Sequence, residues 1–353
     1  MQVFRAIESH GFGEAHFACD ARLGLRAIIA IHSVARGPAL GGCRFVDYES
    51  EEAALIDVLR LARGMTYKAA LAQLPLGGGK SVVLRPKGEF DREALFVSFG
   101  RFVDALGGRY ITAEDSGTSV EDMRAIRKAT PHVTGLPIEE GGSGDPSPWT
   151  ALGVRMGIEA CVRFALKRES LRGLRIAIQG VGHVGAQLAS DLAEGGAELV
   201  ISDIHPERAK AVAERTGAKI LPPESIFDAE VDVFAPCALG AILNDSTISR
   251  LRAGIVAGAA NNQLAEARHG DLLHERGVLY APDYAINAGG LINVCEELLA
   301  RREGRPLNPE KIRAQVVSIF DTIMEILERS KKRGVPTHRI ADDLAEERLG
   351  QLS

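Results

Sequence analysis

The sequence predicts an α/β protein in two domains, the second built on a doubly wound parallel sheet. Three observations carry this. Strand-like and helix-like segments alternate along the chain. Composition shifts to Gly, Pro and Ser at residues 134–153, as at a hinge between domains. Residues 174–204 read as strand, glycine turn, helix and second strand, the length of one βαβ unit. At 353 residues the chain is long enough for two cores.

Residues 26–35 are β-branched and apolar, so they read as a buried strand. Residues 50–71 follow with helical spacing, placing Ala54, Leu55, Val58, Leu59, Ala62 and Met65 on one face. Ser50 is the expected N-cap, with Glu51 and Glu52 at the positive end of the helix dipole. A strand at 81–84, a helix at 92–106 and a strand at 109–113 complete this region. Beyond the hinge, a helix over 150–166 leads into the βαβ unit. Residues 232–238, 253–260 and 277–283 read as further short parallel strands, and the chain from Pro309 is helical and charged.

Composition removes several function classes. A net charge of −5 argues against nucleic acid or an anionic membrane as main partner, since both favour a basic surface. No apolar run is long enough to span a bilayer. The first residues are charged and lack the apolar core of a signal peptide. Cys19, Cys43, Cys161, Cys237 and Cys295 are scattered, odd in number and never in a CxxC pair, which suits reduced thiols in a cytoplasm. Histidine spacing shows no metal-ligand pattern, so no metal is expected.

The glycine turn at 180–185 has the G-x-G-x-x-G form: Gly180, Val181, Gly182, His183, Val184, Gly185. Following a strand and opening a helix, it has the context of the Rossmann dinucleotide fingerprint. Gly180 permits the tight turn, Gly182 admits a pyrophosphate to the backbone, and Gly185 lets helix and strand pack closely. The helix N-terminus supplies amide donors to the phosphates. Asp203, about 20 residues on, suits the ribose hydroxyls and would repel a 2′-phosphate, favouring NAD over NADP. His205 and Arg208 add positive charge nearby, and a βαβ unit without cofactor is the plain alternative.

A second glycine-rich stretch, 74–83, ends in Gly79, Lys80 and Ser81 and resembles a phosphate loop. The motif G-x-x-x-x-G-K-[ST] requires glycine at position 74, where Leu74 stands, and Pro75 removes a backbone donor. The phosphate-loop reading fails. What remains is Lys80, with Lys68 upstream and Asp115 downstream. Two lysines in one cleft disfavour each other's charge, so one can act as a base while the other holds an anion. An adjacent acid could move protons on an amine. Solvated surface lysines are the alternative on residue type alone.

Residues 37–44, 59–70, 76–82, 109–123, 144–154, 235–241, 257–264 and 280–294 together resemble the glutamate/leucine/phenylalanine/valine amino-acid dehydrogenases. The resemblance implies an N-terminal substrate domain at 1–135 and a Rossmann-like NAD domain at 136–330, with the active site in the cleft between. It further implies a C-terminal helix at about 331–353 packing back on the first domain. Lys80 is then the base that activates water, Asp115 handles protons at the amino group, and Lys68 binds the substrate carboxylate with Asn262. Thr150 matches a residue near the nicotinamide amide, with a helix N-cap as its other reading; Ala238 and Asn261 match stretches lining the cofactor. The implied reaction is reversible NAD-dependent deamination of an L-amino acid to a 2-oxo acid and ammonia, in a homo-oligomer, dimer or octamer.

Leu40, Gly41, Met65, Ala113, Leu291 and Val294 are the positions expected to line the substrate. Glutamate-specific members carry lysine and serine where Leu40 and Val294 stand, and an apolar wall cannot solvate a γ-carboxylate. Branched-chain substrates are therefore favoured, with phenylalanine- or valine-preferring activity as the alternative; Leu291 adds about one methylene of bulk, worth about 1–3 kcal/mol of discrimination. These positions could equally be core. An NAD-binding sensor without turnover is the alternative of a different class.

Overall fold

The computed structural model describes residues 3–9, 14–238 and 240–350. The chain divides into two compact units: Met1–Asp145, Val294–Leu307 and Ala345–Ser353 form the first, Pro146–Asn293 and Asn308–Leu344 the second.

In the first unit, helix α1 (Val3–Ser9) precedes strands β1 (Glu14–Asp20), β2 (Leu25–Ser33) and β3 (Ala39–Val46). Helix α2 (Glu51–Leu71), β4 (Gly77–Leu84), α3 (Arg92–Asp104), β5 (Tyr110–Glu114) and α4 (Val120–Arg127) follow. The sheet order is β1-β2-β4-β3-β5. Strands β3, β4 and β5 run parallel, while β1 and β2 are antiparallel to their neighbours. Because side chains alternate across a sheet, each strand feeds two cores. Ile29, Cys43, Phe45 and Val83 pack with Phe96 and Phe99 of α3 and Met123 of α4. Ile28, Ala30 and Val82 pack with Leu55, Val58, Leu59 and Ala62 of α2. Ser50 caps α2, accepting from the Ala53 amide at 3.1 Å.

The glycines at 77–79 are not a loop but the buried first half of β4. A Cβ at Gly77 would lie 1.9 Å from the Ser33 carbonyl oxygen, and one at Gly78 2.0 Å from the Thr66 amide nitrogen. Helix α2 and strand β2 approach so closely here that neither position has room for a side chain.

In the second unit, α5 (Ser147–Leu166) precedes β6 (Arg175–Gln179), α6 (His183–Glu194), β7 (Glu198–Ser202), α7 (Pro206–Thr216) and β8 (Lys219–Ile220). Then come β9 (Val233–Pro236), α8 (Asp245–Arg250), β10 (Ile255–Val256), α9 (Arg268–Glu275), β11 (Leu279–Tyr280) and α10 (Asp283–Ile286). The remaining helices are α11 (Gly289–Glu303), α12 (Pro309–Val317), α13 (Ile319–Arg333) and α14 (Thr337–Gly350). The sheet order β11-β10-β9-β6-β7-β8 is parallel throughout. Read from β8, this is 3-2-1-4-5-6, the doubly wound order, with its switch point between β6 and β9.

The unit boundaries differ from the expected 135/136 and 331. Residues 136–145 belong to the first unit: Leu136 sits in its core, Arg124 Nε donates to Glu140 at 2.7 Å, and the Ser143 hydroxyl donates to Glu297 at 2.7 Å. That last bond also shows why Val294–Leu307 groups with the first unit and not with 136–330. Most of α14 stays with the second unit, where the Thr337 hydroxyl donates to the Tyr280 carbonyl at 2.6 Å and Ile340 and Ala341 are buried. Only from Ala345 does it group with the first, through Tyr67 to Glu346 at 2.6 Å and Arg36 to the Arg348 carbonyl at 3.0 Å. Residues 351–353 of the expected helix lie outside the described residues.

Candidate active site

Sheet register brings together the predicted residues of the first unit. Lys80 pairs with Ala30 across β2, Leu40 with Gly78 across β4, and Gly42 with Ala113 across β5. With a period of two, Leu40, Gly42 and Arg44 of β3, Lys80 of β4 and Ala113 of β5 share the sheet face that α2 covers. Asp115, one residue beyond β5, continues that series. Lys80 is 6% exposed, and its Nζ lies 2.6 Å from Asp115 Oδ2. Arg44 Nε donates to the same oxygen at 3.3 Å.

Local structure fixes Asp115 from both sides. Its amide donates to the Thr118 hydroxyl at 2.9 Å, and that hydroxyl donates to the Cys43 carbonyl at 3.0 Å, tying the turn to β3. A Cβ at Gly42 would come within 2.7 Å of Asp115 Cβ, so the absence of a side chain there makes room for the carboxylate. Burial pushes the Asp115 carboxyl up, but the Lys80 ammonium and the Arg44 guanidinium outweigh it and hold it below the usual carboxylate range. The pair is an anion held against a cation out of water.

Lys68 is half-buried in the last turn of α2. It stands two residues beyond Thr66, and Lys80 two beyond Gly78, the two residues whose close packing joins α2 to β4. Leu40 is 3% exposed, and Met65 and Ala113 are half-buried. Gly41 faces the other way: a Cβ there would meet the Gly79 carbonyl oxygen at 1.8 Å, and its own carbonyl accepts from Tyr110 Oη at 2.6 Å. On α11, Leu291 is buried and Val294 half-buried, three residues apart and so neighbours on the helix surface.

The predicted cofactor residues of the second unit gather at the carboxyl ends of β6, β9 and β10. Gly180 has φ +88° and its Cβ would lie 2.9 Å from the Ala238 amide nitrogen, across the switch point. Gly185 is closed in, with its Cβ position 2.0 Å from the Gly180 carbonyl oxygen. Gly182, the N-cap of α6, is open: no heavy atom lies within 4 Å of its Cβ position, and no side chain caps the helix. The three glycines thus answer to a turn, an approach and a packing contact. Val181 is buried, Val184 half-buried, and His183 exposed on the first turn of α6.

Asp203 directly follows β7 and grips the turn, its two oxygens accepting from the amides of Val181 at 2.8 Å and His205 at 2.9 Å. Asn261 is exposed, its Oδ1 accepting from Asn287 Nδ2 at 2.9 Å. Asn262 takes φ +52°, and its amide donates to Asp283 at 2.6 Å. Ala238 is exposed beside Gly180. Thr150 is not an N-cap. It lies inside the first turn of α5, its hydroxyl donating to the Pro146 carbonyl at 3.2 Å. A Cβ at Gly290 would meet that hydroxyl at 2.8 Å.

Gly42, Arg44 and Thr118 lie within the matched stretches yet escaped selection as site residues. The signal that finds the first two is strand period: reading 39–46 as a strand sets 40, 42 and 44 on Lys80's face. Its glycines, and the Gly-Pro before it, hid that strand.

A unit with a doubly wound sheet and an open glycine turn, in one chain with a unit that buries a lysine against an aspartate, defines a two-unit dehydrogenase. Comparison with known proteins makes this specific. The model of the Glu/Leu/Phe/Val dehydrogenase dimerisation domain matches residues 14–132, and that of the glutamate/leucine/phenylalanine/valine dehydrogenases matches 201–352. Leucine dehydrogenase of Bacillus subtilis (strain 168) is 48% identical over 352 residues, covering 100% of this chain and 95% of the relative. Phenylalanine dehydrogenase of Caldalkalibacillus thermarum (strain TA2.A1) is 44% identical, over 98% and 93%. The crystal structure of L-tryptophan dehydrogenase from Nostoc punctiforme superposes with a TM-score of 0.85 at 42% identity, covering 99% of each chain. The chain belongs to the glutamate/leucine/phenylalanine/valine dehydrogenase family and is an amino-acid dehydrogenase acting on CH–NH2 donors. The Rossmann-like unit suits a nicotinamide cofactor.

Proposed function

We propose that this protein catalyses the reversible, NAD-dependent oxidative deamination of an apolar branched-chain L-amino acid, leucine and also valine or isoleucine, to the 2-oxo acid and ammonia. The observation that carries this is the 2.6 Å Lys80–Asp115 pair on a sheet face shared with Leu40 and Ala113. The open Gly182 backbone and uncapped α6 N-terminus fit a pyrophosphate, with Val181, His183 and Val184 completing the turn. Asp203, directly after β7, favours NAD over a 2′-phosphorylated cofactor, and Thr150, Ala238 and Asn261 would line the nicotinamide side. Bound there, NAD would supply the acceptor for the hydride of the substrate Cα.

The chain's own residues do the rest. Lys68 and Asn262 hold the α-carboxylate, which fixes the Cα in place. Once its ammonium has given up a proton to solvent, neutral Lys80 takes a proton from water as the water oxygen bonds to the iminium carbon. Asp115 relays that proton from Lys80 to the amine nitrogen, Lys80 takes the hydroxyl proton as the C–N bond breaks, and ammonia leaves with the 2-oxo acid. Leu40, Met65, Ala113, Leu291 and Val294 surround the side chain, and an apolar wall of this kind penalises a γ-carboxylate by several kcal/mol. Gly41 acts behind them, keeping β3 close to β4. Identity of 48% to leucine dehydrogenases supports the branched-chain reading, and 44% to phenylalanine and tryptophan dehydrogenases makes the aromatic substrates its competitors. The dimerisation-domain match and the edge strand β1, with Phe17 half-exposed, support a homo-oligomer. Five scattered cysteines, none in a CxxC pair, support a cytoplasmic location.

Reductive amination of a panel of 2-oxo acids tests the reading. The 2-oxo acids of leucine, valine and isoleucine should be used fastest, and 2-oxoglutarate not at all. Fastest use of an aromatic 2-oxo acid would reassign the substrate. NADH binding without turnover on any of them would make the protein a sensor. Lys80→Ala should lower kcat by about 10³-fold while NADH binding is kept; comparable turnover in the variant removes Lys80 from its role.

A further inference from the structure

Charge alternates outward from the reacting pair. Lys80 Nζ and Arg44 Nε converge on Asp115 Oδ2, at 2.6 and 3.3 Å. The other arm of Arg44 donates from Nη1 to Asp57 Oδ2 at 2.7 Å, and that oxygen also accepts from Tyr48 Oη at 2.7 Å. Arg44 sits on β3 and Asp57 on α2, so the guanidinium is stretched between two elements and cannot turn away from either carboxylate. Both are half-buried, where a charge is screened far less than at the surface.

We propose that Arg44 is a positioning residue for the Lys80–Asp115 pair: it keeps Asp115 anionic with Oδ2 aimed at Lys80, while Asp57 sets how much of the guanidinium charge reaches that oxygen. The inference rests on the reading that Lys80 and Asp115 carry the proton transfers. Other groups around Asp115 do not share the task. Cys43 on β3 and Tyr110 on β5 are buried and pushed up, the thiol to about 12 and the phenol further, so both stay neutral. On α4, Asp122 is bound by Arg92 through two contacts of 2.7 Å. Of these groups, Lys80, Arg44 and, through Arg44, Asp57 place charge at Asp115 Oδ2.

The sign of the effect follows from this arrangement. Removing a cation from beside the Lys80–Asp115 contact lets the site hold its proton to higher pH. Removing a neighbouring anion does the reverse. A residue that merely supports the fold gives no such opposition.

The test uses the full chain, NAD and the apolar L-amino acid turned over fastest, with kcat and KM followed across the neutral to alkaline range. Arg44→Gln should move the acid limb of kcat/KM up by about 1 pH unit and lower kcat by roughly 10–100-fold, with KM changed by less than about threefold. Arg44→Lys should return the limb close to its original position while kcat stays reduced, because an ammonium supplies the charge without the fork. Asp57→Asn should move the limb down. A limb that stays put in Arg44→Gln and Asp57→Asn, or moves the same way in both, overturns the proposal. If Arg44→Gln does not fold, the downward shift in Asp57→Asn and the recovered limb in Arg44→Lys still decide it. Lys80→Ala separates the two levels. If it retains turnover, the reading of the pair itself fails; if it loses turnover while the limbs stay fixed, only Arg44's role fails.

Discussion

Two glycine-rich stretches invite the same reading and serve opposite purposes. At 77–79 the missing side chains are demanded by the protein: Ser33 of β2 and Thr66 of α2 occupy the space a Cβ would need. At 180–185 the demand is divided. Gly180 and Gly185 answer to the fold, and Gly182 stands over open space at a helix N-terminus. A glycine run therefore marks a close approach without saying what approaches. The neighbouring backbone decides whether it is a strand, a helix or a ligand.

Substitution separates the two cases, and the largest effect belongs to β4. In Gly78→Ala the new methyl would stand 2.0 Å from the Thr66 amide and 2.3 Å from its hydroxyl. Neither can retreat, since Thr66 lies inside α2 above a filled core. The expected loss is at least about 3 kcal/mol of stability, read as a large fall in Tm or in soluble yield. A variant as stable as the parent would show that α2 can lift from β4 at little cost.

Gly182→Ala should do the opposite. Its φ of −68° suits alanine and its surroundings are empty, so stability should change by no more than about 0.5 kcal/mol. NADH affinity should nevertheless fall by about tenfold or more, because the methyl occupies the space through which the backbone meets a pyrophosphate. Fluorescence titration of NADH, alongside thermal unfolding, checks both halves. Unchanged affinity would turn the open glycine into an unused gap.

The fold was largely legible from periodicity, and the failures have physical causes. Helix α2 announced itself through Ala54, Leu55, Val58, Leu59 and Ala62, with Ser50 as its cap, because a 3.6-residue stripe over 21 residues has few rivals. The parallel strands of the second unit were legible as short apolar runs, except β8, whose two exposed residues carry no pattern. Strands β1 and β3 were missed. The first, an edge strand, is only half-buried, and the second places Gly41 and Gly42 where β-branched residues would signal a strand. That miss cost the site its supports, since Arg44 and Gly42 become visible only once β3 is a strand in register with β4 and β5. The 145/146 boundary was invisible for another reason. Ser143 is tied to the first unit by Glu297, more than 150 residues away, and local composition records no such tie.

The smallest effect tests the α2–β2 packing beside Gly78 by pH. His32 on β2 bonds through Nδ1 to the Thr66 hydroxyl at 2.9 Å, the same residue that closes over Gly78. Burial, helped by the nearby Arg63 guanidinium, pulls His32 down from its ordinary 6.5 to about 4. Between these values the unfolded chain binds a proton that the folded chain refuses. The contribution is therefore complete above about pH 6.5, shrinks as pH falls through the window, and levels off below about 4. Since the ring keeps some access to water, the loss should be on the order of 1 kcal/mol and not the full value of the shift. Amide hydrogen exchange gives the comparison directly. Protection in α2 and β2 should fall between pH 6.5 and 4 relative to α6, after correction for intrinsic exchange rates. His32→Asn, which can keep a bond to Thr66 without the titration, should remove that difference. If the difference persists in the variant, another group titrates at the α2–β2 seam and His32 is only packed there.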